Sequence, residues 1–593
     1  MRAYTQLLCF LLLIGLAMDV QAQIKTTRPR VRVQELDLNR IFGRCGCTNC
    51  DGLSEHHNPT EDGETNFEIV NRWTFTALSG GGLGQGTPTM LTWSIVPDGT
   101  DANGGGGFVP SNMIAVFDNL FNEPSAGDPD LTTRFWHGLI QQSLDRWGEV
   151  SGIEYVFEPN DDGATNFGAG GSVGVRGDVR IGGFNIDGPN NVLAFNQFPN
   201  VGDMAIDTSD LGLFGNAALG FRLFRNVFSH EQGHGIGFAH LESNNAAFLM
   251  EPFISGAFDG PQLDDILAVQ RQYGDALEKE NNFQGNNTIG NASELGSIAD
   301  GDIAIIGIDG STGTVVAGND VDFVSIDDNS DVDFFSFTVP ELGFADIVLT
   351  PVGASYNQSP QFQGGGIPSN PSAFANLSLT LFDANGSAFA ASNSQPAGSQ
   401  ESILAQFLAP GEYFARVSGS TNNVQLYTLR VEFDAIDVPV PTAPSIASFE
   451  SGEIIAGDVA DLLDSDNQYL ELIPNLDGAP ANSGVEAFFT FFSPDILVSS
   501  FSIDYEGAAN TPNLEQTVSV LNASTGLFEE IVSGPVGLTD DDASFSPAGD
   551  PQQYVAVPSG LVLVEARYEE TGPVLFYPWT ISIDQMVINT LGN

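Results

Sequence analysis

The stretch Ser229–Pro252, SHEQGHGIGFAHLESNNAAFLMEP, decides how the rest of the chain is read. His230 and His234 stand four residues apart, so on a helix both imidazoles leave the same face. Glu231 lies beside them, where it can accept a proton from a water held at that face. Gly235 and Gly237 let the helix end and the chain turn sharply. That turn brings His240 round as a third nitrogen donor. Three neutral imidazoles leave one corner of a tetrahedron open for water, the arrangement of a catalytic rather than a structural zinc. Zinc in such a site lowers the pKa of its water towards about 7 and polarises a carbonyl, and Glu231 can serve as general base. HExxHxxGxxH is far more specific than HExxH alone. The chain has only six histidines, and three of them fall within these eleven residues.

Outward from this segment, 593 residues exceed what one core supports, so several domains are expected. An apolar content of 42% excludes wholesale disorder, and 67 glycines between short apolar runs favour β-rich architecture. A formal charge of −57 excludes DNA or RNA as partner, because a polyanion would be repelled over nearly the whole surface. The same excess suits hard cations such as calcium, although most of these carboxylates are expected to be simply solvated. At the N-terminus, Arg2, the apolar run Leu7–Ala17 and Val20-Gln21-Ala22 read as an export signal over 1–22, so a secreted protein is expected. That run is too short for a membrane span, and no later stretch reaches the necessary length. Cys9 falls inside the signal. The other cysteines, Cys45, Cys47 and Cys50, crowd together, so no disulfide is expected in the body.

Residues 23–66 carry six of the 19 basic residues between Lys25 and Arg44. They read either as a pro-segment lying against the acidic body or as a tail. From Thr89 the pattern predicts a strand at Met90–Val96, an amphipathic helix at Leu131–Trp147, and strands at Ile153–Phe157 and Asp178–Ile181. Helices follow at 221–237 and Leu263–Tyr273, giving one α/β (α+β) domain over 67–275. His137, on the first of these helices, reads as a structural or surface residue. Beyond Gly274 the character changes to short strands such as Phe334–Val339, Leu377–Phe382, Tyr413–Val417 and Tyr427–Val431, an all-β sandwich over 281–435. Pro439, Pro441 and Pro444 mark a linker at 436–446. A second all-β, jelly-roll-like sandwich is expected over 447–593, of a carbohydrate-binding or attachment kind. Asp320, Asp322, Asp327, Asp328, Asp331 and Asp333 read either as calcium ligands or as a solvated acidic loop.

The segment HEQGHGIGFAH resembles the zinc signature of the metzincin peptidases, and Leu249-Met250-Glu251-Pro252 resembles their methionine turn beneath the metal. The matrixin branch, which includes the matrix metalloproteases, is the nearest likeness. Gly177–Ile181 resembles its edge-strand motif, Asp187–Ala194 its loop into the substrate-binding strand, and Leu263–Ile266 with Tyr273-Gly274 its last helix. The likeness covers roughly residues 67–275. It implies one catalytic zinc on His230, His234 and His240, Glu231 as base, Met250 below the site, and a protein or peptide substrate. It also implies a structural calcium held by Asp187, Asp207 and Asp210 with the carbonyls of Gly188, Asn190 and Val192. The family's second, structural zinc is expected to be absent, because Phe195 and Ala205 stand where its ligands would be. Leu241 replaces the usual serine after the third histidine.

Arg44-Cys45-Gly46 resembles the matrixin latency switch, in which a thiolate caps the zinc. Two other readings stay open: a separate metal site of Cys45, Cys47 and Cys50 with His56 or His57, or a disulfide with one spare thiol. Asp331–Phe337, Leu379–Asp383 and Pro410–Tyr413 resemble the bacterial pre-peptidase C-terminal β-sandwich. For the last domain, the strand pattern alone suggests a polysaccharide or cell-surface contact. The rival to a secreted zinc endopeptidase is a surface binding or adhesion protein with a vestigial zinc site. A zinc hydrolase of a non-peptide amide is a third reading.

Overall fold

The computed structural model describes residues 67–103, 107–164, 168–311, 313–475 and 484–592. The expected export signal, the basic stretch, the three clustered cysteines, His56 and His57 lie outside the described residues. The chain divides into two compact units, one running to Ala435 and the other from Ile436 to Asn593.

In the first unit, β1 (Thr89–Ile95), β2 (Ile153–Phe157), β3 (Val179–Phe184), β4 (Ala194–Asn196) and β5 (Met204–Asp207) form one sheet ordered β2-β1-β3-β5-β4. The first four strands in that order run parallel, and the terminal strand β4 is antiparallel to β5. Four longer helices accompany it: α1 (Met113–Phe121), α2 (Phe135–Glu149), α3 (Arg222–Gly235) and α4 (Leu263–Tyr273). The strand at Ile153–Phe157 and the helix at Leu263–Tyr273 have the bounds their patterns predict. The helix expected over Leu131–Trp147 is broken at Arg134, whose extended backbone separates a 3-10 turn at Leu131–Thr133 from α2. Asp130 capping Thr132 N at 3.0 Å stabilises the short turn on its own.

Trp93, Trp136 and Trp147 are fully buried with Phe117, Phe214 and Phe224. His137 belongs to this core and not to the surface: its ring lies 5.1 Å from Trp93 and 4.5 Å from Phe157. Burial pulls its pKa down to about 4.

Two β-sheets follow in the same unit. One is ordered Ile303–Ile306, Gln425–Ala435, Gly343–Pro351, Glu401–Leu408, and the other Ala388–Ser392, Leu377–Asp383, Gly411–Gly419, Val332–Val339, Ser293–Ser297. This sandwich shares a hydrophobic core with the zinc-signature part, since Val316, Phe323, Val352, Tyr356, Phe374, Val424 and Leu426 join the cluster around α2, α3 and α4. The acidic run is not all solvated, because Asp327, Asp331 and Asp333 are buried.

The second unit is a pair of antiparallel sheets around Trp579, Tyr505 and Tyr568, with the two tyrosine hydroxyls 2.8 Å apart. Part of the expected linker is built into it: Val440–Thr442 pairs with the last strand, Ile581–Gly592. A proline-bearing strand at a sheet margin keeps its ring where no ladder bond is needed. No helix among the described residues is long and apolar enough to cross a membrane.

Candidate metal centre

Helix α3 carries the first two histidines because Leu223, Phe224, Val227 and Phe228 anchor its first half in the core. Trp147 Nε1 donates to Ser229 O at 2.9 Å, pinning the turn just ahead of His230. The helix ends at Gly235, and the chain reverses through Gly237, where φ is +114° and a Cβ would meet Asn71 O at 1.9 Å. Only glycine satisfies both demands. The reversed chain is held by residues ahead of the sheet: Val70 N donates to Gly237 O at 2.8 Å and Ala239 N to Glu68 O at 2.8 Å.

The turn delivers His240 to the other two. Its Nε2 lies 3.1 Å from His230 Nε2 and 3.2 Å from His234 Nε2. Each opposite ring nitrogen faces an acceptor. His230 Nδ1 donates to Leu249 O at 2.6 Å, His234 Nδ1 to Phe238 O at 2.6 Å, and His240 Nδ1 to Gln361 Oε1 at 3.1 Å. With the proton on Nδ1, three Nε2 lone pairs point into one space, which is repulsive unless a cation sits between them. Tetrahedral zinc with Zn–N distances near 2.0–2.1 Å would separate its nitrogens by about 3.3 Å, close to what is found. Burial lowers the pKa of His230 to about 4 and that of His234 well below the usual value, so both stay neutral as metal binding requires. The three side chains are buried and can together hold a metal ion.

Beneath them lies Met250, 1% exposed. Its sulfur is packed so closely on α3 that a Cβ at Gly233 would meet it at 2.3 Å. Asp265, the third residue of α4, fixes this turn by accepting Leu249 N at 2.8 Å and Met250 N at 3.1 Å. The same carboxylate accepts Gln262 N at 2.8 Å, closing a capping box. Glu231 is fully buried on α3 beside His230.

The family model for Matrixin matches residues 124–274. This part of the chain is a matrixin domain. Among curated proteins, none matches the sequence. Similar solved structures include the pre-peptidase C-terminal domain of a Bacillus anthracis collagenase, at 12% identity over 24% of this chain and 95% of that one, with a TM-score of 0.14. A tandem CBM22 domain from Paenibacillus barcinonensis Xyn10C is 10% identical over 43% and 82%, TM-score 0.18. A fucolectin from Morone saxatilis serum is 12% identical over 46% and 87%, TM-score 0.22. Likenesses this weak assign no ligand.

Elsewhere in the matrixin domain, the expected calcium residues lie on two neighbouring segments, the loop 187–192 and the end of β5 with the turn after it. Asp210 Oδ1 accepts Asn190 N at 2.6 Å, Asp207 Oδ2 accepts Asp187 N at 3.2 Å, and Asp187 Oδ1 accepts Val192 N at 3.2 Å. Asp207 and Asp210 are buried, whereas Asp187 is exposed. Burial, then repulsion from Asp207 and Asp187, raises Asp210 to about 6. At the positions of the second zinc, Phe195 and Ala205 belong to a small apolar cluster with Phe184 and Ala102.

Among the described residues, two acidic groups have ligand atoms within 4.8 Å of one another: Glu278, Asp331 and Asp333, and, in the second unit, Glu506, Asp540 and Asp584. The first lies where the matrixin domain meets the sandwich. Burial raises Glu278 to about 8 and pushes Asp327, Asp331 and Asp333 well upward, with their mutual repulsion adding to it. Sequence reasoning missed Gln361 and Tyr356, and gave Asp265 no role. Nothing in the local sequence marks Gln361, because its partner is 121 residues away.

Proposed function

We propose that the chain is a secreted zinc-dependent endopeptidase. The observation that carries this is the convergence of three Nε2 atoms, that of His240 lying 3.1 and 3.2 Å from the other two, each ring turned by an acceptor on its other nitrogen, inside a matrixin domain. Zinc held by His230, His234 and His240 would supply a Lewis acid for the scissile carbonyl and acidify a water. Glu231 takes the proton of the attacking water and hands it to the leaving amine. Met250, Asp265 and Gly237 keep the three imidazoles in place. An acid buried next to the histidines favours hydrolysis over a vestigial site in an adhesion protein.

Calcium is the cation we assign to Asp187, Asp207 and Asp210, with carbonyls of Gly188, Asn190 and Val192, and the raised carboxyl of Asp210 supports it. Export by residues 1–22 and latency through Cys45 belong to the same reading. A polysaccharide or cell-surface ligand is proposed for the second unit, where Leu575, Phe576 and Tyr577 stand exposed on one loop.

The test is cleavage of a generic protein substrate by the chain lacking residues 1–22, beside Glu231→Ala, with zinc counted in both. Cleavage by the parent alone, with one zinc in each, is expected. Zinc bound without cleavage, even after removal of residues 23–66, would favour the binding protein.

A further inference from the structure

The third histidine differs from the other two in where its outer partner comes from. Leu249 and Phe238 offer backbone carbonyls of the matrixin domain itself. Gln361 belongs to a hairpin, Tyr356–Pro360 with Ile367–Ser369, inserted between the sandwich strands Gly343–Pro351 and Leu377–Asp383, and the contact is made by a side chain. The approach is not casual. Directly after His240, the strand β6 (Leu241–Ser243) joins this hairpin in a three-stranded sheet, pairing antiparallel with Tyr356–Pro360 in the register Gln358↔Ser243, Ser359↔Glu242, Pro360↔Leu241. One further step along that register sets Gln361 opposite His240. A slip by one residue would take the amide away from the imidazole.

Several contacts lock the register. Gly364 N donates to Glu242 Oε2 at 3.0 Å, and Tyr356 OH to Asp264 Oδ1 at 2.6 Å at the start of α4. Gly365, at φ +65°, lies so near that a Cβ would meet the Ser243 backbone at 2.9 Å. Phe362, next to Gln361, holds φ +70° without being glycine, a conformation kept only where the surroundings impose it.

We propose that Gln361 is a positioning residue of the zinc centre, so that the hairpin inserted in the sandwich sequence is a working part of the active site and the region carrying it stays on the active enzyme. With Nε2 given to the metal, His240 Nδ1 carries the proton, and Gln361 Oε1 fixes both tautomer and ring plane. Loss of such an outer partner typically weakens metal binding by about 10–100-fold. The inference rests on the zinc reading above.

The experiment measures zinc affinity by chelator competition in the full chain carrying Glu231→Ala, which prevents self-cleavage. Gln361→Ala is expected to weaken zinc about tenfold. Gln361→Glu restores an acceptor and should bind within about threefold of the parent, or tighter. Gln363→Ala, which removes an exposed amide from the same turn, should match the parent. Equal affinity in Gln361→Ala, or an equal loss in Gln361→Ala and Gln361→Glu, would overturn the proposal. A parent that binds no zinc at all would instead remove the reading it rests on.

Discussion

The two flanks of the metal centre are built differently. On the helix flank, His230 and His234 are oriented by backbone carbonyls, and Asp265 ties the methionine turn through the N–H groups of Leu249 and Met250 while accepting Gln262 N at its own helix start. On the seam flank, His240 is oriented by the side chain of Gln361, from outside the matrixin match, while the buried acids Glu278, Asp331 and Asp333 form a separate group where the two parts also meet. Backbone geometry is encoded by spacing and glycines within one short stretch. Side-chain partnership across a seam depends on how distant segments pack. The helix flank can therefore be read locally, and the seam flank cannot.

This contrast is open to test, and the largest effect is expected at the seam. Glu278 titrates at about 8 in the folded chain against an ordinary 4.5, so the folded state binds the extra proton between those values. Stability is then greatest below pH 4.5 as far as this group is concerned, and is lost as pH rises through 8. Each unit of displacement is worth about 1.4 kcal/mol, so a fall of several kcal/mol is expected in chelator. Urea midpoints against pH, measured in chelator, check this. A profile that is flat in chelator would break the account of the seam.

On the helix flank, Asp265→Ala would strand three N–H groups that are buried or nearly so. At about 1–3 kcal/mol each, the loss should be on the order of 3 kcal/mol in urea unfolding, with weaker zinc retention. A change below about 1 kcal/mol would mean that the methionine turn is held by packing on α3 instead.

The sequence carries the same division. Strands β1 and β2, helix α4 and the signature on α3 follow from periodicity and spacing, because each buries one face of a regular element. Helix α1 gives no such notice at its start: Asn112 makes no side-chain cap, and Ile114 N and Ala115 N are taken up by Asp98, far back in the chain. His137 shows the same limit, since burial depends on Trp93 and Phe157 from two different strands. His230, His234, Gly237 and His240 were legible because a metal site of this kind needs them at fixed intervals. Gln361 and Tyr356 were not, because only tertiary register brings them there.

The most direct measurement is anomalous diffraction at the zinc edge from crystals of the chain grown without added metal. One peak is expected, within about 2.1 Å of Nε2 of His230, His234 and His240. No peak there, or zinc found only on the acidic groups, would contradict the central claim.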